Sequence, residues 1–121
     1  MREFKFRFWD ENMRDYWDWE EIQDDWESEG YYDTAFRQDH WKCEQYIELR
    51  DIHGKEIYEN DIVKQHDNLN NKDYIGVVEF HASEYVLVYP DGTGGHCVRN
   101  IQLGFNEVLG NCNENPELIP H

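Results

Sequence analysis

The sequence predicts a small α+β protein, mostly β, with a single acidic amphipathic helix near its start. Three observations carry this. The segment EFKFRFW (Glu3–Trp9) alternates apolar and charged residues. Five or so short apolar runs separated by turn residues fill the second half. Between them lies DYWDWEEIQDDWESE (Asp15–Glu29), with eight carboxylates, three tryptophans and no Lys or Arg.

In Glu3–Trp9, Phe4, Phe6 and Phe8 share one face and Lys5 and Arg7 the other, the period of a half-buried strand. Asp10 or Asn12 can cap the next element. Met13–Glu29 contains no Gly or Pro, and Gly30 stands where a helix stop belongs, so the pattern predicts a helix there. At about 100° per residue, Tyr16, Trp19, Ile22 and Trp26 form one stripe and the acids occupy the rest, with Asp15 at its edge and Trp17 among them. The alternation of DYWDW supports a competing strand. Tyr31–Tyr46 is aromatic-rich and irregular, leading to a strand near Trp41–Leu49. A turn at His53-Gly54 precedes a strand at Asp61–Gln65. His66–Asp73 is a polar loop. Ile75–His81 and Tyr85–Tyr89 predict strands joined by a tight Ala82-Ser83-Glu84 connection, followed by the PDGTGG turn cluster (Pro90–Gly95). Short strands near Cys97–Gln102 and Glu107–Gly110 complete what reads as a small barrel.

The 121 residues suit one domain. Five Trp, eight Tyr and six Phe supply a core despite low hydrophobicity, since each buried ring removes about 150–250 Å² from water. A formal charge of −16 disfavours direct binding to DNA, RNA or anionic lipid and favours a basic protein partner. The longest apolar run, Tyr85–Tyr89, is too short to span a membrane, and the N-terminus has no signal-peptide core, so a cytosolic protein is expected. Three cysteines, an odd count, read as thiols or ligands rather than a disulfide framework.

Several candidates for chemistry carry little. His40 and Cys43 make an H-x2-C pair that Cys112 with His53, His96 or Cys97 could extend to a tetrahedral zinc site, although paired C-x2-C spacing is missing. No cofactor is otherwise implied. His96-Cys97 lacks an identifiable third group for a nucleophile. The many Asp and Glu form pairs by chance, and no nuclease or EF-hand motif is present. Tyr89–Gly95 lacks the context of a phosphate loop. No catalytic residue is assigned and no enzyme is expected.

MREFKFRFWD (Met1–Asp10), GKEIYENDIVK (Gly54–Lys64), GVVEF (Gly76–Phe80) and EVLGNCNENPELI (Glu107–Ile119) together resemble the YopX-like family of phage and prophage proteins. Glu11–Cys43 is not covered by the resemblance. It implies a mostly-β protein with an SH3-like barrel in its C-terminal part. Joined to the reading of the residues, this gives a single domain over 1–121, with residues 1–45 holding the strand, acidic helix and irregular segment and 46–121 the SH3-like barrel part. It also implies a phage or prophage origin in a Gram-positive-type host, and no enzyme activity. The shared residues look architectural: Gly54 and Gly110 suit turns, Ile57, Ile62 and Val63 a core, and Pro116 a chain end. Asn60 stands where Gly is more usual, His53 where Asn is common, and Cys43 and Cys112 where relatives look aliphatic.

The acidic segment is the distinctive feature. As a helix rising about 1.5 Å per residue, it would carry one charge per roughly 2.8 Å, against about 1.7 Å for duplex DNA and 3.4 Å for a single strand. Pairs such as Glu20/Asp24, Glu21/Asp25 and Asp18/Glu21 repel, each at about 0.2–0.5 kcal/mol. The pattern therefore suggests a phosphate mimic formed by Asp15, Asp18, Glu20, Glu21, Asp24, Asp25, Glu27 and Glu29, with Trp17 as aromatic anchor. The expected function is a phage-encoded inhibitor of a host nucleic-acid-binding defence enzyme such as a CRISPR effector nuclease, acting in the host cytoplasm. The alternative is a regulatory or replication-associated module whose acidic face only keeps it soluble.

Overall fold

A computed structural model of the chain describes residues 4–22 and 41–120. The chain divides into two compact units, Met1–Tyr46 and Ile47–His121, each with its own apolar cluster.

In the first unit, strand β1 (Phe6–Asp10) runs between β2 (Asp15–Trp17) and β3 (Trp41–Arg50), antiparallel to both. The alternation of β1 is real, but neither face is left to water. On one side Phe8, fully buried, packs with Ile22, Phe6, Trp17, Trp19 and Trp41. On the other, Trp9 is 2% exposed and lies edge-on to Tyr16 at 5.0 Å. The expected charged face is an internal ion pair: Arg7 Nε donates to Glu44 Oε1 at 2.8 Å, and the Tyr16 hydroxyl donates to the same oxygen at 2.9 Å. Glu44 is 1% exposed, a burial tolerable only because it is paired and hydrogen-bonded. Phe4, expected inside, is exposed.

The helix predicted over Met13–Glu29 does not form at its start. Glu11–Arg14 make a turn, Asp15–Trp17 pair as β2, and helical structure begins at Trp19. Residues 23–40, with Trp26 and the rest of the predicted helix, lie outside the described residues. The strand prevails over Asp15–Trp17 because pairing places Trp17 opposite Phe8 and Tyr16 opposite Trp9. Those cross-strand aromatic contacts outweigh the local helical preference.

The second unit contains β4 (Glu56–Tyr58), β5 (Asp61–Asp67), β6 (Lys72–His81), β7 (Glu84–Pro90), β8 (His96–Asn100) and β9 (Phe105–Asn111). The last five form an antiparallel sheet in the order β8-β7-β6-β5-β9. A 3-10 turn, Ile101–Leu103, links the two edge strands, and another, Pro116–Leu118, follows β9. Ile47, Ile57, Val63, Val78, Leu87 and Ile101 form the core. Ile57, Ile62 and Val63, predicted as core, are fully buried. β3 enters this unit at Ile47, where its alternation breaks: Tyr46 and Ile47 are neighbours yet both buried, next to Glu48 at φ 66°.

The five-stranded sheet is curled into a half-barrel. β5 and β8 are three positions apart in it, about 14 Å if it were flat. Instead Arg99 on β8 reaches both Gln65 Oε1 (3.0 Å) and Asp67 Oδ2 (2.8 Å) on β5. The Gln65 amide, fully buried, donates to the Ile101 carbonyl at 2.9 Å and Asn106 Oδ1 at 3.1 Å. The curl is also why Gly76 has no side chain: a Cβ there would lie 2.3 Å from the Val88 carbonyl oxygen. Among the described residues no helix is long and apolar enough to cross a membrane.

Stability should respond to changes at two places. Gln65→Leu leaves buried partners unsatisfied and should lower unfolding free energy by roughly 2–4 kcal/mol in denaturant titration. The β6–β7 hairpin turns through Ala82 and Ser83 at φ 48° and 72°, with His81 paired to Glu84. Those angles suit Asn-Gly, so Ala82→Asn with Ser83→Gly should raise stability by about 1 kcal/mol.

Candidate functional site

The acidic stretch is presented by the β1–β2 hairpin and the helix start. Asp10 ends β1 and folds back over its own turn, its Oδ1 accepting from the Asn12 N–H at 2.9 Å and the Met13 N–H at 3.2 Å. Burial would raise its pKa, but these backbone donors hold the carboxyl below the usual range. The hairpin then delivers Asp15 to the exterior and Trp17 to the interior. Trp17 stacks on Trp41 with ring centroids 5.9 Å apart, so it anchors the unit's own core rather than standing as an aromatic anchor among the acids.

Asp18 begins the helix as its N-cap: its Oδ1 accepts from the Glu21 N–H at 2.8 Å, and the Ile22 N–H donates to the Asp18 carbonyl. Ile22 is pulled into the core, while Asp15, Asp18, Glu20 and Glu21 stay exposed. Three of these lie close enough to interact. Desolvation first, then the charge and side chain of Asp18 and the charge of Asp15, raise the Glu21 carboxyl above its ordinary value. Asp24, Asp25, Glu27 and Glu29 fall outside the described residues.

The other carboxylates divide by burial. Asp10, Glu44, Asp51, Asp61 and Asp67 are buried and serve the fold. Asp51 Oδ1 accepts from the His53 and Lys55 N–H groups and its Oδ2 from Val108, binding the β3–β4 turn to β9. Burial opposes its charge, yet those three donors and the nearby His53 leave its pKa lowered. Asp61 Oδ2 accepts from the Tyr58 N–H at 2.8 Å. Asp67, held by the Leu69 N–H and Arg99, is lowered as well.

The residues of a second surface were not singled out in the sequence. In the second unit, Ile52, Leu103 and Phe105 are 55%, 60% and 57% exposed. Two adjacent clefts share Leu49 and Gln102. One, of about 230 Å³, is lined by Ile47, Tyr85, Ile101 and Glu84 among others. The other, of about 350 Å³, includes Arg50, Ile52, Phe105 and Asn106. The available signal was QLGF (Gln102–Phe105), two apolar side chains around a glycine, of which Leu103 lies in the 3-10 turn and Phe105 opens β9.

The model of the family described as YopX protein matches residues 5–120. The chain belongs to the YopX family. That places it among phage-type proteins. A search of curated proteins finds no match. The YopX segments recognised in the sequence have structural explanations here. Gly54, at φ 81°, completes the turn that Asp51 organises. Asn60, at φ 67°, makes the turn into β5, which accounts for glycine being usual there. Gly110 is not in a turn: it lies in β9, and its missing side chain leaves room for Asn115. Asn111 Oδ1 caps the following turn through the Asn113 and Glu114 N–H groups, and Pro116 opens the final 3-10 turn.

For metal binding, Cys43 is exposed, and Cys97 and Cys112 are half-buried. His53 lies in the turn held by Asp51. His40 is outside the described residues, and among those residues no three His, Cys, Asp or Glu side chains converge on a metal position. His96 and Cys97 are successive on β8, which directs their side chains to opposite faces. The PDGTGG cluster is the β7–β8 turn, gathered by Asp91 through the Thr93 and Gly95 N–H groups.

The raised Glu21 carboxyl has a definite pH signature. Between its unfolded pKa, about 4.3, and its higher folded value, the folded state holds more protons, so stability falls as pH rises through that window. Glu21→Gln should therefore stabilise at pH 7 by about 0.2–0.5 kcal/mol. The gain should vanish below the unfolded pKa, as followed by thermal melts across pH.

Proposed function

We propose that this protein is a non-enzymatic phage inhibitor that offers its acidic first unit to the basic nucleic-acid channel of a host defence enzyme, with a CRISPR effector nuclease as the partner class. The reading rests on one observation. The hairpin and helix cap leave Asp15, Asp18, Glu20 and Glu21 exposed together, although Glu21 is disfavoured by its neighbours. Asp51 and Glu44 are buried and satisfied within the fold, whereas these four stay at the surface and none forms an ion pair with a basic side chain among the described residues, although Asp18 caps the helix and Asp15 accepts from the Tyr16 N–H. An uncompensated cluster is what an opposing basic surface would neutralise. A basic protein binds here in place of nucleic acid, in the host cytoplasm. Neither a metal nor a membrane enters this reading.

The fold of the second unit supports an SH3-like assignment for the half-barrel. The order β9-β5-β6-β7-β8, with a 3-10 turn before the last strand, is the argument for it. A second reading, a regulatory or replication-associated protein-binding module, is favoured by the exposed Ile52, Leu103 and Phe105.

Asp15→Lys, Glu20→Lys and Glu21→Lys combined, which spare the Asp18 cap, should abolish inhibition of the target nuclease, with the circular dichroism spectrum unchanged. Complex formation by the parent protein should weaken steeply with added salt. Full inhibition by the folded triple variant would rule out the acidic reading. Capture of a phage replication protein instead of a basic nuclease would favour the module.

A further inference from the structure

We infer that the outer edge of β8 (His96–Asn100) is a self-association surface, on which β8 of a second copy of this chain pairs antiparallel about a two-fold axis at Val98. The inference goes beyond the acidic reading, because every residue involved lies in Ile47–His121.

The two edges of the five-stranded sheet are treated differently. At β9 the Ile52 N–H donates to the Asn106 carbonyl at 2.9 Å, and Asp51 Oδ2 accepts from the Val108 N–H at 3.0 Å, so the β3–β4 turn takes up that edge. Among the described residues, no backbone segment takes up the outer edge of β8. The hairpin decides which of its groups face outward. The Asp91 N–H donates to the Gly95 carbonyl at 3.1 Å, in the same register as Tyr89↔Cys97 and Leu87↔Arg99. Antiparallel pairs alternate between bonded and non-bonded, so Cys97 and Arg99 exchange hydrogen bonds with Tyr89 and Leu87. His96 and Val98 then turn their N–H and C=O groups away from β7. Pro90, which has no N–H to give, stands opposite His96, in agreement with that phase. A row of outward donors and acceptors is complemented by extended backbone.

Charge and symmetry select a second copy as the occupant. The fifteen residues Gly92–Asn106 contain no Asp or Glu, the longest such stretch in a chain that has 27. Arg99, the one Lys or Arg among them, points inward and is spent on Gln65 and Asp67. The edge is therefore locally neutral: it has no charge to draw a charged foreign strand, and it lets two copies of charge −16 meet without placing carboxylates face to face. The strand is also complementary to itself. With Val98 opposite Val98 of the second copy, the two residues exchange both of their bonds at the axis. On either side the His96 carbonyl meets the Asn100 N–H of the other copy. The Asn100 carbonyl is drawn inward by the Gln65 amide at 3.4 Å, and the pairing ends there. The Val98 side chains, 55% exposed, pack on each other, and neither Arg99 faces a second charge. The interface is isologous and closes as a dimer.

Sedimentation velocity and amide hydrogen exchange on the full chain test this together. A monomer–dimer equilibrium should appear as protein concentration rises. It should shift toward dimer between about 50 and 500 mM NaCl, because screening relieves the repulsion between two acidic copies. Salt acts in the opposite sense on binding to a basic partner, so this inference and the acidic reading fail separately. The Val98 amide should exchange about tenfold more slowly in the dimer than in the monomer, while Cys97 and Arg99 are protected in both. Val98→Lys, which sets two like charges at the axis, should weaken dimerisation by about tenfold. Leu69→Lys, the same charge change at a loop residue that is 98% exposed, should leave it intact. A monomer at millimolar concentration in high salt, a dimer whose Val98 amide is unprotected, or equal dimerisation of the two Lys variants would each overturn the proposal.

Discussion

The buried amide of Gln65 is the interaction on which the second unit depends. It sits at the centre of β5, and its hydrogen bonds reach the 3-10 turn, β9 and, through Arg99, β8. The Asn106 link joins neighbouring strands, but those to the Ile101 carbonyl and to Arg99 span parts of the sheet that would lie apart if it were flat, so the network holds the curl. The curl in turn brings Val63, Val78, Leu87 and Ile101 into one cluster. It also imposes local demands: a glycine at position 76 under the Val88 carbonyl, and another at 104, where a Cβ would lie 2.3 Å from the His66 carbonyl oxygen. Arg99 extends the network to Asp67 and lies 4.0 Å from the Tyr74 ring, so the barrel interior passes from apolar to charged along β5.

The first unit uses the same device on a smaller scale. Arg7, Glu44 and Tyr16 join one face of three strands, while tryptophans and phenylalanines fill the other. Both units thus engage carboxylates internally. Acids left at the surface with no ion pair among the described residues are set apart by contrast, and at Asp15, Asp18 and Glu21 they gather, with Asp18 also capping the helix. Function is read from this difference between buried and exposed charge, rather than from net charge alone.

Much of the architecture was legible in the sequence. Period-two alternation located β1, short apolar runs bounded by turn residues located the cores of β5 to β9, and the apolar residues of GKEIYENDIV were correctly placed inside. What escaped had long-range causes. Asp15–Trp17 fits a helix or a strand locally, and only the opposing Phe8 and Trp9 settle it. Trp17 was placed outside because a helical wheel puts it there. Pairing with β1 turns it onto Trp41. Gln65 and Asp51 look like surface residues in a strand and a loop, yet both are buried because backbone groups distant in sequence converge on them. The clefts were illegible for the same reason, since they join β3, the β6–β7 turn and the 3-10 turn. The half of the acidic segment beyond Ile22 lies outside the described residues.

The division between structural and presented carboxylates is open to one direct measurement, side-chain carboxyl titration by NMR on the intact chain. Asp10, Asp51 and Asp67 should titrate below the usual carboxylate range, because backbone donors hold their charged forms, and Glu21 should titrate above it. Ordinary values for the three aspartates, together with a Glu21 at or below the usual range, would contradict the account.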